Sequence, residues 1–121
     1  MPQKILIIDD DPDILDMMST LLTGEGYEVV LSDTSEILKD LLAIAPDLIL
    51  LDVNMPKSPH NGDVLCDTLK GNLKTNKIPV ILVSGECDLE IICSNCRADT
   101  FVAKPFDIEI LSAKISSLLL L

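Results

Sequence analysis

Three aspartates in succession, Asp9, Asp10 and Asp11, follow an unbroken aliphatic run in KILIIDDDPDIL. Each ionised carboxylate raises the cost of ionising the next, so the cluster needs a compensating cation or a separate role for one of its members. Another aspartate, Asp52, comes directly after the run LILL; Ser84 follows PVILV, and Lys104 follows TFVA. Carboxylates converging from Asp9, Asp10 and Asp52 suit a hard divalent ion with oxygen ligands that retains several waters, such as magnesium (Mg2+). Asp11 has a local explanation: it precedes Pro12, so Asp11 as N-cap and Pro12 as first helical residue start a helix, with Asp13 favoured by the helix dipole.

These residues meet only if the runs before them lie side by side. Lys4 to Ile8 reads as a first strand, after which Ile14, Leu15, Met18, Leu21 and Leu22 recur at helical spacing up to Gly24. Glu28 to Leu31 predicts a second strand. Ile37, Leu38, Leu41 and Leu42 predict a second helix, and Leu48 to Leu51 a third strand. A third helix is expected over Val64 to Leu69 and a fourth strand over Pro79 to Val83. A fourth helix over Leu89 to Cys96, a fifth strand over Thr100 to Ala103 and a last helix from Ile108 complete the alternation. Continuous apolar runs of this length suit strands buried on both faces. Five alternating units without linker or repeat predict one doubly wound α/β domain over residues 1–121, with its crevice at the carboxyl ends of the strands. Asp9, Asp10, Asp52, Ser84 and Lys104 all fall on that edge.

Composition agrees with this fold and excludes some functions. The 121 residues are 48% apolar with no Trp, two Phe and one Tyr, so the core is built from Ile, Leu and Val. Nine basic against twenty acidic residues give a net charge of -11, which opposes direct binding to nucleic acid or to an anionic membrane. A protein partner or a cation fits better. No segment is long enough to span a bilayer and no leader pattern opens the chain, which predicts a cytoplasmic protein. Cys93 and Cys96 form a CxxC, but no second pair stands at ligand spacing; with Cys66 and Cys87 they are expected to be reduced thiols. His60 is a lone loop histidine, expected in solvent.

The segments ILIIDDDPDIL, PDLILLDVNMP, IPVILVSG and FVAKPFD occur in the order and approximate spacing of the receiver domain of two-component response regulators, which essentially the whole chain resembles. The resemblance implies a flavodoxin-like strand order 2-1-3-4-5 and a phosphorylation-activated switch. It also implies magnesium held by Asp10, Asp52 and the backbone carbonyl of Asn54, with Asp9 acting mainly through a bound water. Asp52 becomes the phosphoacceptor, taking its phosphoryl group from a sensor histidine kinase or phosphotransfer protein. Lys104 stabilises the phosphoryl charge, Ser84 donates a hydroxyl to a phosphoryl oxygen, and Phe101 is the switch aromatic. A cis peptide between Lys104 and Pro105 is implied as well. Asn54 and Glu86 resemble the polar pair of the chemotaxis regulator that flanks the hydrolytic water, which implies a short-lived phosphoryl group. The implied output is an effector domain or protein, or a homodimer through the fourth helix, fifth strand and fifth helix. Nothing beyond self-phosphorylation and autodephosphorylation is expected as enzymatic activity.

The chain departs from the family pattern at two places. The loop MPKSPHNGD is longer than the usual Met-Pro-x-Met-Asp-Gly by about two residues, an insertion a surface loop tolerates. Arg97 stands where Gly usually closes the fourth helix, which predicts a shortened, irregular or mobile helix. Two alternatives follow. A pseudo-receiver would keep the fold as a phosphorylation-independent binding module. A haloacid dehalogenase-like phosphatase also uses an Asp nucleophile with Ser or Thr and Lys, but after its first strand and with a second Asp two residues on, where this chain has Asn54. Whether SSLLLL ends a relay protein or precedes an effector stays open.

Overall fold

The Ile, Leu and Val runs form five strands, every neighbouring pair parallel: β1 (Lys4–Ile8), β2 (Glu28–Ser32), β3 (Leu48–Asp52), β4 (Val80–Ser84) and β5 (Thr100–Ala103). Their order, β2-β1-β3-β4-β5, is that of the flavodoxin-like fold. The computed structural model describes residues 2–56, 58–85 and 88–119.

Alternation along the strands sorts the core into two layers. Leu6, Ile8, Ile49, Leu51, Val80 and Leu82 face one side, where Leu41, Cys66, Leu69, Leu89, Cys93 and Cys96 of α2 (Leu41–Ile44), α3 (Gly62–Lys70) and α4 (Leu89–Cys96) cover them. Ile5, Ile7, Leu48, Leu50, Ile81, Val83 and Val102 face the other, against Met18 and Leu22 of α1 (Pro12–Gly24) and Leu111 and Ile115 of α5 (Ile108–Leu119). With both faces covered, β3 and β4 are buried at every position, which is why their sequences run apolar without alternating. No helix among the described residues is long and apolar enough to cross a membrane.

Helix ends follow local chemistry. Asp11 caps α1 by accepting the Asp13 N–H at 2.9 Å, and Pro12 opens the helix. At the other end the chain turns through Gly26 at φ 98°, a conformation that suits a residue without Cβ. The helix α3 starts at Gly62, two residues earlier than its apolar pattern indicates.

The second helix departs from its expected form. Ser35–Asp40 is a 3-10 segment, and only Leu41–Ile44 is α-helical before Ala45 closes it in the left-handed region at φ 51°. Three residues per turn put Leu38 and Leu41 above one another, and α2, starting from that phase, carries Leu42, which the helical spacing assigns to the core, into solvent.

The fourth helix is short, yet its geometry is regular. Arg97 adopts the left-handed conformation (φ 64°, ψ 26°) that glycine ordinarily supplies, and the Ala98 N–H donates back to the Cys93 carbonyl at 3.1 Å. A left-handed non-glycine residue costs about 1 kcal/mol or more. The Arg97 guanidinium donates to the Asp67 carboxylate at 3.0 Å and to its backbone carbonyl at 3.1 Å, tying the end of α4 to α3.

Candidate functional site

Asp52 and Ser84 are the last residues of β3 and β4 rather than the first beyond them, while Asp9 and Lys104 stand one residue past β1 and β5. Asp52 has the parity of Leu50, and the same alternation carried one step past the strand ends puts Asp9 in line with Ile7 and Lys104 with Val102. The three therefore form one row on the α1 and α5 side. Ser84 has the parity of Leu82 and belongs to the opposite layer.

The geometry follows from that row. The Lys104 ammonium donates to Asp9 Oδ2 at 2.8 Å and lies 3.6 Å from Asp52 Oδ2. Asp9 and Asp52 are 2% and 4% exposed. Asp9 Oδ1 also accepts the Asp11 N–H at 2.9 Å, and Asp52 Oδ1 the Asn54 N–H at 3.3 Å. Above them lies an open cleft of about 580 Å³ lined by Asp10, Asp52, Asn54, Ser84, Gly85 and Lys104, among others. The Lys104–Pro105 peptide is cis, as the resemblance implies.

The charge balance is uneven. Asp52 is pushed up to about 7, first by burial and next by the charge on Asp9, against the opposing pull of Lys104 and the Asn54 N–H. Burial works to lower the Lys104 pKa, but its hydrogen bond to Asp9 and the charges of both carboxylates outweigh it and hold the ammonium above the usual lysine value. One lysine does not neutralise this end of the sheet.

Carboxylate oxygens of Asp9, Asp10 and Asp52 lie within 4.8 Å of one another, and among the described residues these are the one group of three such ligands close enough to share an ion. Hard oxygen donors, a surplus of negative charge and a raised Asp52 fit a divalent cation of the magnesium type.

Two residues that sequence reasoning passed over shape the site. A Cβ on Gly62 would lie 2.0 Å from the Asp52 carbonyl oxygen, so only glycine lets α3 begin against the backbone of Asp52. Its N–H donates to the Val53 carbonyl at 2.7 Å, and Asn61 Oδ1 accepts the Met55 N–H at 3.2 Å, closing the loop that carries Asn54. Within the longer loop, Ser58 Oγ accepts the Ser35 N–H at 2.8 Å. The one sequence signal for this closure is the Asn61-Gly62 dipeptide.

Other residues lie apart from the cleft. Phe101 is half-buried against the α3 and α4 layer; the Lys114 ammonium is 5.1 Å from its ring centre and donates to its carbonyl at 2.6 Å. Phe101 precedes Ala103, the register partner of Ser84, by two residues, so it shares the face of Ser84. His60 is exposed. Cys66, Cys93 and Cys96 are free thiols buried in the seam of α3 and α4, and burial raises both Cys66 and Cys93, favouring the unreactive thiol form. Glu86 and Cys87 lie outside the described residues.

The sequence model of the Response regulator receiver domain family matches residues 5–116. The Transcriptional regulatory protein CpxR of Escherichia coli is 38% identical over 119 residues, covering 96% of this chain and 49% of its own length. A putative response regulator from Chloroflexus aurantiacus superposes with a TM-score of 0.92 at 27% identity, with 100% of both chains covered. A CheY-like response regulator receiver domain protein from Methanospirillum hungatei gives 0.87 at 31% identity, covering 98% of this chain and 94% of that one. The chain spans about half the length of the curated relatives it matches.

Proposed function

This chain belongs to the response regulator receiver-domain family, and from that premise we propose that it is a phosphorylation-driven switch whose acceptor is Asp52. The observation that carries the reading is the row of Lys104, Asp9 and Asp52 beneath one open cleft that Asp10, Asn54 and Ser84 also line. A buried carboxylate held at a strand end, with a cation on one side and open space on the other, supports reading Asp52 as the nucleophile.

An oxygen of Asp52 bonds to phosphorus while the bond from phosphorus to the donor breaks and its electron pair leaves with the donor, a phosphohistidine nitrogen or the acetate of acetyl phosphate. Lys104 offers its ammonium to the charge that spreads over the phosphoryl oxygens, and Ser84 its hydroxyl. Asp10, Asp52 and the Asn54 carbonyl, with Asp9 in support, would hold a magnesium ion, which when bound would supply positive charge favouring ionised Asp52 and screening the phosphoryl oxygens. Partners follow from the chemistry: a sensor histidine kinase or phosphotransfer protein as donor, and a separate domain or protein as output. The net charge of -11 argues against direct DNA contact by this chain, so a DNA-binding output of the kind named in its relatives would reside elsewhere.

Within the switch, Ser84 drawn toward the phosphoryl group vacates space on the face it shares with Phe101, into which the ring rotates. The surface of α4, β5 and α5 then changes, and a homodimer or partner responds to it.

Intact-mass spectrometry with acetyl phosphate and magnesium tests the assignment. The wild type should gain a single phosphoryl mass and Asp52→Asn none, with the variant still folded. Uptake by the variant would move the acceptor elsewhere, and no uptake by the wild type would favour the phosphorylation-independent module.

A further inference from the structure

On the far side of the molecule from α1 and α5, the 3-10 segment, α2 and the second half of α3 enclose a groove of about 300 Å³. Leu41 and Leu69 form its buried floor, and Leu38, Leu42, Lys39 and Lys74 line it above. Leu42 is 62% exposed, and Leu73, beside Lys74 in the chain, is 90% exposed; they are the two most exposed large hydrophobic residues described. The 3-10 turns of Ser35–Asp40 set the phase at which α2 begins, and at that phase Leu42 faces outward.

Charge singles the groove out. Four other clefts each carry at least one aspartate in their lining, whereas this one carries two lysines and no acidic residue. The ion pair that Lys39 makes is loose, with Glu36 lying 3.9 Å away and both side chains largely in solvent. On a chain of net charge -11, an acidic partner is repelled from most of the surface and accepted here. A second copy meeting the groove face to face would set Lys39 and Lys74 against themselves.

We infer that this groove docks an amphipathic helix from a partner protein, with apolar residues at i, i+3 and i+7 seated between Leu38 and Leu42 and glutamate or aspartate flanks on Lys39 and Lys74. The site is independent of phosphoryl chemistry and is present in the unmodified protein.

The test uses the full chain, isotopically labelled for NMR, without phosphodonor. The probes are a helical peptide bearing leucines at that spacing with glutamate flanks, and the same peptide with lysine flanks. The acidic peptide should shift the amides of Leu38, Leu42, Leu73 and Lys74 saturably, and the basic one should bind at least about tenfold more weakly, a difference of 1.4 kcal/mol. Leu42→Ser combined with Lys74→Glu should weaken the acidic peptide by at least the same factor while phosphoryl uptake from acetyl phosphate stays as in the wild type. Equal binding of the two peptides, shifts centred elsewhere, or no saturable binding would overturn the inference. Dimerisation on concentration that buries Leu42 would also overturn it, assigning the groove to a second copy.

Discussion

Two lysines reach aspartates at opposite edges of the sheet, with opposite outcomes. Lys70 donates to Asp99 Oδ2 at 2.7 Å and to the Ile78 carbonyl at 2.9 Å, and the same Asp99 oxygen accepts the Val80 N–H at 2.7 Å. One positive charge meets one negative charge, and backbone groups take up the remaining hydrogen bonds where β4 and β5 begin. Lys104, at the carboxyl ends, meets Asp9 and Asp52 with Asp10 beside them, so negative charge remains in excess. Its side chain is 22% exposed against 9% for Lys70. At one edge the charges balance; at the other an excess of negative charge remains that a cation could meet.

The largest effect that separates the two edges is the pH dependence of the metal-free protein. The Asp52 pKa is raised in the fold from 3.8 to about 7, so its contribution to stability is complete below the unfolded value and is lost as pH rises through the folded one. In chelator, urea midpoints should fall between pH 4 and about 7 and level off above, a loss of up to about 4 kcal/mol. The raised Lys104 keeps its charge across that window. Asp52→Asn should flatten the slope and stabilise the metal-free protein at pH 8, and saturating magnesium should restore stability to the wild type there. An unchanged slope in Asp52→Asn would place the excess charge on other groups.

Next comes the contact that holds the carboxyl-end edge independently of charge. Gly62→Ala puts a Cβ into the Asp52 carbonyl and should cost about 3 kcal/mol, with weaker phosphoryl uptake. Gly85→Ala is its control at the open side of the same cleft, where a Cβ would meet nothing within 4 Å, and should change stability by less than about 0.5 kcal/mol. Equal losses by chemical denaturation would mean that the close approach at Gly62 relaxes without cost.

The smallest of the three effects sharpens the comparison most directly. Lys70→Met should cost about 2 kcal/mol whether or not magnesium is present, because it removes the counter-charge of Asp99 and a donor to the Ile78 carbonyl. Lys104→Met should destabilise the protein in chelator and recover much of the loss when magnesium is added. Melting curves of both variants with and without the ion check this; magnesium rescue of Lys70→Met would erase the distinction between the edges.

What the sequence determined by itself was the set of strands and the identity of the residues at their ends. Apolar runs, the Asp11-Pro12 cap and the alternation of elements depend on neighbours a few residues apart, and the polar residues at the strand ends could be read together because a parallel sheet brings all such ends to one edge. The tertiary structure alone decided how those residues are sorted and what supports them. Strand parity puts Lys104 on Asp9 and Asp52 and sets Ser84 on the face of Phe101. Gly62 is required because α3 begins on the backbone of Asp52, and Arg97, closing α4 in the left-handed conformation, meets Asp67, thirty residues earlier. Lys70 and Asp99 find each other across 29 residues, and Leu42, the second residue of α2, leaves the core because the 3-10 turns before that helix set its phase. Each of these depends on groups distant in the chain or on a winding that packing imposes, and periodicity along a single segment carries no record of either.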